Sequence, residues 1–231
     1  MLTYGGASKT GKTHLLTGCP NQDAWVVARA KTMYVAAVSD GLGSRENSQV
    51  GSKAAVRSVL TASRMIVPAT GGADIIRLVH AIWRVRLSGL DVRACACTCL
   101  FAIRFGTGRL FAAALGDGVI TIDSGGKRET LELNGKDFAN STDAMDTCKP
   151  QDWRYRDEQA SGGLKLMLAT DGVSDDIEEG GLFDFAEFVI NEVAKRVEQR
   201  GRNGYVKKLL NRWTRPKSGD DKTLIVIKES A

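Results

Sequence analysis

Three apolar, strand-like runs in this chain end on an Asp-Gly step. Met33 to Val38 leads into Ser39-Asp40-Gly41, Leu110 to Leu115 into Gly116-Asp117-Gly118, and Leu164 to Leu168 into Ala169-Thr170-Asp171-Gly172. A fourth acidic step, Asp220-Asp221, opens the run Leu224 to Ile227. Carboxylates gathered at the ends of buried strands repel one another and are costly to desolvate unless a cation lies between them. Hard divalent ions take oxygen ligands of this kind and complete their coordination with water. Asp-Gly is also a common hairpin turn, and a single such step would read as one. Four acidic steps at strand ends, widely separated in sequence, point to a polynuclear metal site built on sheet ends.

The elements that must position these residues can be read from periodicity. Ala24 to Ala28 and Met33 to Val38 are β-like, parted by the basic turn Arg29-Ala30-Lys31. Helical spacing of Ala55, Val56, Val59, Leu60 and Ser63 predicts a helix that Pro68 and Gly71-Gly72 end. A second helix carries Ile75, Ile76, Val79, Ile82 and Trp83 on one stripe, with His80 beside it in a structural or surface role rather than a catalytic one. Val92 to Phe105, Leu110 to Leu115, Val119 to Asp123 and Glu129 to Leu133 read as strands parted by Gly-rich turns. Asn134 to Gly163 is polar, mixed in charge and without periodicity, which predicts a functional loop or small flap. Phe183 to Gln199 and Tyr205 to Trp213 read as helices, and a last strand closes the chain. Helices flanking a mostly antiparallel β core make an α+β layered domain, a single one over residues 1–231.

Composition narrows the class. A hydrophobic fraction of 43% against 26% charged is that of an ordinary globular protein. The net charge of +5 is spread along the chain, which suits phosphorylated partners; with aromatics at 6% and no aromatic–basic interleaving, nucleic acid is not expected. No apolar stretch reaches the roughly 20 residues of a membrane span, and Met1 to Lys12 lacks the apolar core of a signal peptide. A cytoplasmic, monomeric protein is the expectation. The five cysteines fit it: the number is odd, and Cys95, Cys97 and Cys99 put their sulfurs on one strand face as small buried residues.

Gly6-Ala7-Ser8-Lys9-Thr10-Gly11-Lys12-Thr13 matches the phosphate-cradling pattern G-x-x-x-x-G-K-[ST]. Such a loop must leave a buried strand and open a helix. Met1 to Gly5 is short and polar for a central strand, and Gly18 and Pro20 stop any helix within about two turns. The context argues against nucleotide binding. Lys12 and His14, in a basic segment ahead of Asp23, could still face the metal site.

In order along the chain, these pieces resemble the metal-dependent protein phosphatases, the type 2C Ser/Thr phosphatases, and bacterial members in particular. Asn21-Gln22-Asp23 is similar to the family's opening step and Asp40-Gly41-Leu42-Gly43 to its Asp-Gly-x-Gly motif. Cys97-Thr98-Cys99 falls at its small-residue Thr strand. Gly116-Asp117-Gly118 resembles Gly-Asp-Ser, and Thr170-Asp171-Gly172-Val173 resembles Ser/Thr-Asp-Gly-Val/Ile. Gly219-Asp220-Asp221-Lys222-Thr223 resembles the closing Asp-Asp/Asn-x-Thr/Ser. The resemblance implies a four-layer α-β-β-α sandwich with two mostly antiparallel sheets and a dinuclear metal site at one end. Asp40 would bridge two Mn²⁺ or Mg²⁺ ions, with the Gly41 carbonyl on one of them. Asp171 and Asp220 would hold the other, Asp23 would act directly or through water, and Asp117, Asp171 and Asp175 would form a weaker third site.

The resemblance also implies hydrolysis of phosphoserine and phosphothreonine on proteins by a metal-bridged water, opposing a cognate Ser/Thr kinase. Three departures stand out. Gly118 replaces the Ser of Gly-Asp-Ser; Gly18 stands where the family has a phosphate-binding Arg, leaving Lys12 or His14 for phosphate capture; and Leu42 stands where some eukaryotic members carry His. The missing Arg keeps open an alternative, a catalytically weak phosphatase-fold module that binds phosphoprotein or a regulator.

Overall fold

The computed structural model describes residues 1–30, 32–132, 143–160, 163–178, 180–213 and 216–230. Among the described residues, ten strands form two five-stranded sheets. The first has the order β1 (Leu2–Lys9), β10 (Lys222–Glu229), β9 (Leu164–Ala169), β6 (Val119–Ser124), β7 (Lys127–Leu131). The second runs β2 (Ala24–Ala30), β3 (Met33–Ser39), β4 (Cys99–Phe105), β5 (Arg109–Leu115), β8 (Arg154–Gln159). Every pairing is antiparallel.

Strand alternation divides the apolar side chains between layers. Ala36, Val38, Leu100, Leu110, Ile120, Leu166 and Ile225 meet between the sheets. Opposite faces of the same strands, through Ala37, Phe101 and Phe111, pack on α2 (Ser48–Ser63) and α3 (Gly72–Arg86). Met167, Leu224 and Val226 pack on α5 (Leu182–Ala194) and α6 (Gln199–Asn211). Three apolar seams thus separate four layers, the α-β-β-α sandwich expected.

Register gathers the acidic steps. Ala24 pairs with Ser39 and Cys99 with Leu115, while Ala169 pairs with both Leu224 and Val119. Asp23, Asp40, Asp117, Asp171 and Asp220 therefore leave their strands at the same end of the sandwich. The turn at Asp117 joins β5 of the second sheet to β6 of the first.

Several boundaries differ from the sequence reading. The Gly-rich start is a strand, β1, paired along its whole length with β10. Its glycines permit close packing: a Cβ at Gly5 would lie 2.9 Å from Val193 Cγ2, and one at Gly6 2.7 Å from the Trp25 ring. Val92 to Phe105 is not one strand, because Asp91 caps a 3-10 turn over Val92–Cys95 and β4 begins at Cys99. The helix expected to reach Gln199 ends at Ala194, and Gln199 opens α6.

Of the segment 134–163, residues 134–142 and 161–162 lie outside the described residues, as does Lys31 of the basic turn. Residues 143–160 are anchored rather than flap-like. Met145 and Trp153 are buried, Met145 N donates to the Cys97 carbonyl, and β8 pairs with β5. Arg109 grips Asp157 through two hydrogen bonds of 2.7 Å. Arg156 and Lys127 join the edge strands of the two sheets through Glu129 and Glu158.

Candidate metal centre

Each carboxylate at the acidic end is aimed by its own loop. Thr98 clamps the Asp40 step: its N–H donates to the Asp40 carbonyl at 2.8 Å, and its Oγ1 accepts from Asp40 N at 2.9 Å. Gly41 lets α2 approach, since a Cβ there would lie 2.8 Å from the Ser48 backbone. Asp171 is the first residue of the one-turn helix α4 (Asp171–Ser174), and its Oδ1 accepts from Gly172 N at 2.7 Å. Thr170 Oγ1 donates to Asp23 Oδ2 at 2.9 Å and accepts from Thr223 N at 3.0 Å, tying Asp23 to β9 and β10. The Asp117 turn has Gly116 at φ +82° and Gly118 at φ +112°. A Cβ at Gly118 would lie 2.7 Å from the Ala169 carbonyl oxygen, so this turn cannot take the Ser of Gly-Asp-Ser without strain.

The electrostatics are those of an uncompensated acidic cluster. Burial pushes the Asp23 carboxyl up to about 7, with the charge of Asp221 adding to it and the hydrogen bond from Thr170 opposing it. Asp40 is raised well above the usual carboxylate range, first by burial and then by Asp23, Asp171 and Asp220. Burial, followed by Asp220, brings Asp171 up to about 6, and Asp175 and Asp117 add to the shift. Burial and Asp117 raise Asp175. Among the described residues, the buried Asp23 Oδ1 has no hydrogen-bond partner. An orphaned buried carboxylate oxygen, within an all-oxygen set whose members repel one another, fits a hard divalent cation.

The tightest grouping of ligand atoms is a different one. His14, Asp220 and Asp221 have atoms within 4.8 Å of one another. Asp221, however, is already satisfied: Oδ1 accepts from Gly11 N and Oδ2 from Gln22 N, both at 2.6 Å, and His14 Nδ1 lies 3.0 Å from Oδ2. Ligands of two ions that themselves sit about 3.5–4 Å apart spread wider than such a trio. Asp221 is thus an anchor.

This anchor explains the Walker-like segment. Gly6 to Lys9 lie inside β1, so the segment has no phosphate-cradling loop. Gly11 N–H, which would face a phosphate in a P-loop, holds the protein's own carboxylate at Asp221. A Cβ at Gly11 would run into the Asp220 backbone. The next helix, α1 (Lys12–Thr17), has six residues and ends on Gly18 at φ +73°. Lys12 is exposed on it and shares a shallow pocket with Lys9, Trp213 and Asp220, whereas His14 turns to Asp221. His80 is structural, its Nε2 3.0 Å from the Met145 carbonyl.

Residues 10–213 match the family model described as Protein phosphatase 2C. The chain belongs to the protein phosphatase 2C family. Solved structures carry the same fold. RsbX in complex with magnesium is 15% identical with a TM-score of 0.62, covering 98% of this chain and 94% of that one. The catalytic domain of the serine threonine protein phosphatase PstP, with two manganese ions, is 16% identical with a TM-score of 0.59 over 100% and 99%. The phosphatase domain of SpoIIE from Bacillus subtilis, with a fragment of its regulatory domain, is 16% identical with a TM-score of 0.65 over 99% and 63%. No curated protein matches the sequence significantly. Among the described residues no helix is long and apolar enough to cross a membrane.

The acidic steps were legible in the sequence; the contacts that hold them were not. Asp221, Thr170 and Gly11 act through backbone partners far away in the chain, which no local pattern marks. For Gly11 the one available signal, the Walker-like spacing, points to the wrong anion.

Proposed function

We propose that this chain is a divalent-metal-dependent phosphatase acting on phosphoserine and phosphothreonine in proteins, opposing a partner kinase. The observation that carries the reading is the desolvated carboxylate set Asp23, Asp40 and Asp171, each raised in pKa and gathered with Asp220 at one end of the sandwich, with Asp23 Oδ1 unpartnered among the described residues. Asp40 with the Gly41 carbonyl, and Asp171 with Asp220, would hold two Mn²⁺ or Mg²⁺ ions. Asp23 would act directly or through water, and Asp117 and Asp175 would complete a weaker third site with Asp171. When bound, such ions neutralise phosphoryl oxygens and lower the pKa of water until it is a nucleophile near neutral pH. Thr98 and Thr170 fix the directions of Asp40 and Asp23, and Asp221 holds the Gly11 and Gln22 backbone against the site. With His14 engaged by Asp221, Lys12 is the better candidate for capturing the substrate phosphate.

The test is hydrolysis of phosphoserine and phosphothreonine peptides with and without added Mn²⁺. Metal-dependent turnover is expected, and equal rates in chelator would overturn the reading. A second reading, a catalytically weak phosphoprotein-binding module, is favoured by Gly18. It stands at the family's Arg position in a left-handed helix cap, a conformation an arginine would occupy only under strain. Phosphopeptide binding without turnover in saturating Mn²⁺ would support it.

A further inference from the structure

At the end of the sandwich away from the acidic steps, the seam between α2 and the second sheet is left open. There the β2–β3 hairpin, where Ala30 pairs with Met33, extends past the last turn of α2. The gap is a pocket of about 300 Å³. Its apolar wall is Ala28, Met33, Val35, Leu60 and Ile66, of which Val35 and Ile66 belong to the buried core. Arg29 and Arg64 also line it, both exposed, and neither guanidinium makes a hydrogen bond or ion pair among the described residues. Small-ligand sites start at about this volume and combine an apolar lining with a few convergent polar groups. Among the described residues, the only charges lining the pocket are these two guanidinium groups, suited to gripping a carboxylate or phosphate.

We propose that this pocket binds a small amphipathic anion, with its carboxylate or phosphate head on Arg29 and Arg64 and its apolar body against Val35, Leu60 and Ile66. Burial of the apolar body supplies the driving force, and the two arginines supply the selection for charge. A neutral molecule of the same length would lack the second contribution. An anion without an apolar body would lack the first. The site lies apart from the carboxylate cluster, so its occupancy is measurable whether or not the chain is an active phosphatase.

The experiment uses the whole chain and decanoate, titrated by calorimetry or ligand-observed NMR, with decanol and acetate as controls. Decanoate is expected to bind at least about 10-fold more tightly than decanol, a gap that one charge-assisted hydrogen bond accounts for, and at least about 10-fold more tightly than acetate, which lacks the apolar body. The Arg29→Gln/Arg64→Gln variant should lose the preference for decanoate over decanol, and Ala28→Met, which fills the pocket, should lose both ligands. Circular dichroism and an unchanged melting temperature would show that the variants are folded. A parallel arm measures co-sedimentation with phosphatidylglycerol vesicles. Vesicle binding lost in the arginine variant would identify a lipid as the source of the same chemistry, and decanoate binding without it would identify a free anion. Absence of binding in both arms, or equal decanoate affinity in the wild-type chain and the arginine variant, would overturn the proposal.

Discussion

Two sets of buried aspartates lie within a few residues of each other and have opposite electrostatics. Asp221 and Asp176 are satisfied from within. Asp221 takes two backbone N–H groups and faces His14, while Asp176, its side chain fully buried, lies 2.7 Å from Lys222 Nζ and also accepts from Lys217 N. Lys222 in turn donates to the Gly172 carbonyl and lies beneath the Trp213 ring. Asp23, Asp40 and Asp171 have few such partners: burial raises the pKa of all three, and neighbouring carboxylates add to it, Asp221 at Asp23, Asp23 and Asp171 at Asp40, and Asp220 at Asp171. The same side chain is thus a structural rivet where the fold supplies its counter-charge, and a binding group where that charge must come from outside. On the proposed reading Asp220 and Asp221, adjacent in sequence, fall on opposite sides of that line.

The contrast breaks most visibly if a residue of the open set behaves like one of the closed set. Asp40→Asn should lower Mn²⁺-dependent phosphopeptide turnover by roughly 100-fold or more, since even outer partners of metal ligands can cost that much. The same substitution should raise the melting temperature in chelator, because it removes a charge from a repelling cluster. A drop in that melting temperature would place Asp40 among the rivets. Lys222→Met tests the closed set. Leaving Asp176 buried without its cation should cost about 3–5 kcal/mol by urea unfolding, and Lys222→Met/Asp176→Leu should recover most of it. A Lys222→Met cost below about 1 kcal/mol would mean that the pair is not a rivet. For Asp221→Asn, one backbone N–H loses its charged acceptor, and about 1–3 kcal/mol of stability should go with it. Asp220→Asn should instead lower turnover and spare chelated stability.

What the sequence disclosed divided along the same line. The steps at Asp40, Asp117, Asp171 and Asp220 were readable because each ends or opens an apolar run, and those runs became β3, β5, β9 and β10. Elements that stand only by long-range pairing were not readable. Gly-rich β1 is held by a partner strand more than 200 residues away. β8, Arg-Tyr-Arg-Asp-Glu-Gln, is an edge strand with charged side chains matched to Arg109, Glu129 and Lys127, so it shows no apolar period. The break between α5 and α6 falls in a stretch whose apolar Val197 faces solvent and imitates a continuing stripe.

Proton linkage sharpens the contrast further. Asp23 and Asp171 have folded-state values of about 7 and about 6, above the 3.8 of an ordinary aspartate. The metal-free fold therefore holds protons more tightly than the unfolded chain. The stability this gives is fully present below about pH 4 and is lost as pH rises through about 6 to 7. In chelator the melting temperature should fall between about pH 5.5 and 8. Saturating Mn²⁺, which binds the ionised carboxylates, should raise it by an amount that grows over the same range. A metal-induced shift that is constant with pH would show that these carboxylates do not take up the ion.

The smallest expected effect belongs to Lys12, the exposed cation beside the acidic end. Its position on α1 is fixed from below by Gly11 N–H on Asp221 and by Thr13 N–H on the Gly219 carbonyl, so the ammonium is presented without being buried. An exposed charge of this kind gives a modest attraction that salt screens. Lys12→Ala should raise KM for a phosphopeptide about threefold with kcat nearly unchanged, the pattern of binding shared by ground state and transition state. The difference should shrink at high salt. ATP should bind neither form saturably, because the strand β1 occupies the residues a phosphate loop would need. Saturable ATP binding lost in Lys12→Ala would mean that the segment from Gly6 to Thr13 serves an external phosphate, and Gly11 would have to release Asp221 to do so.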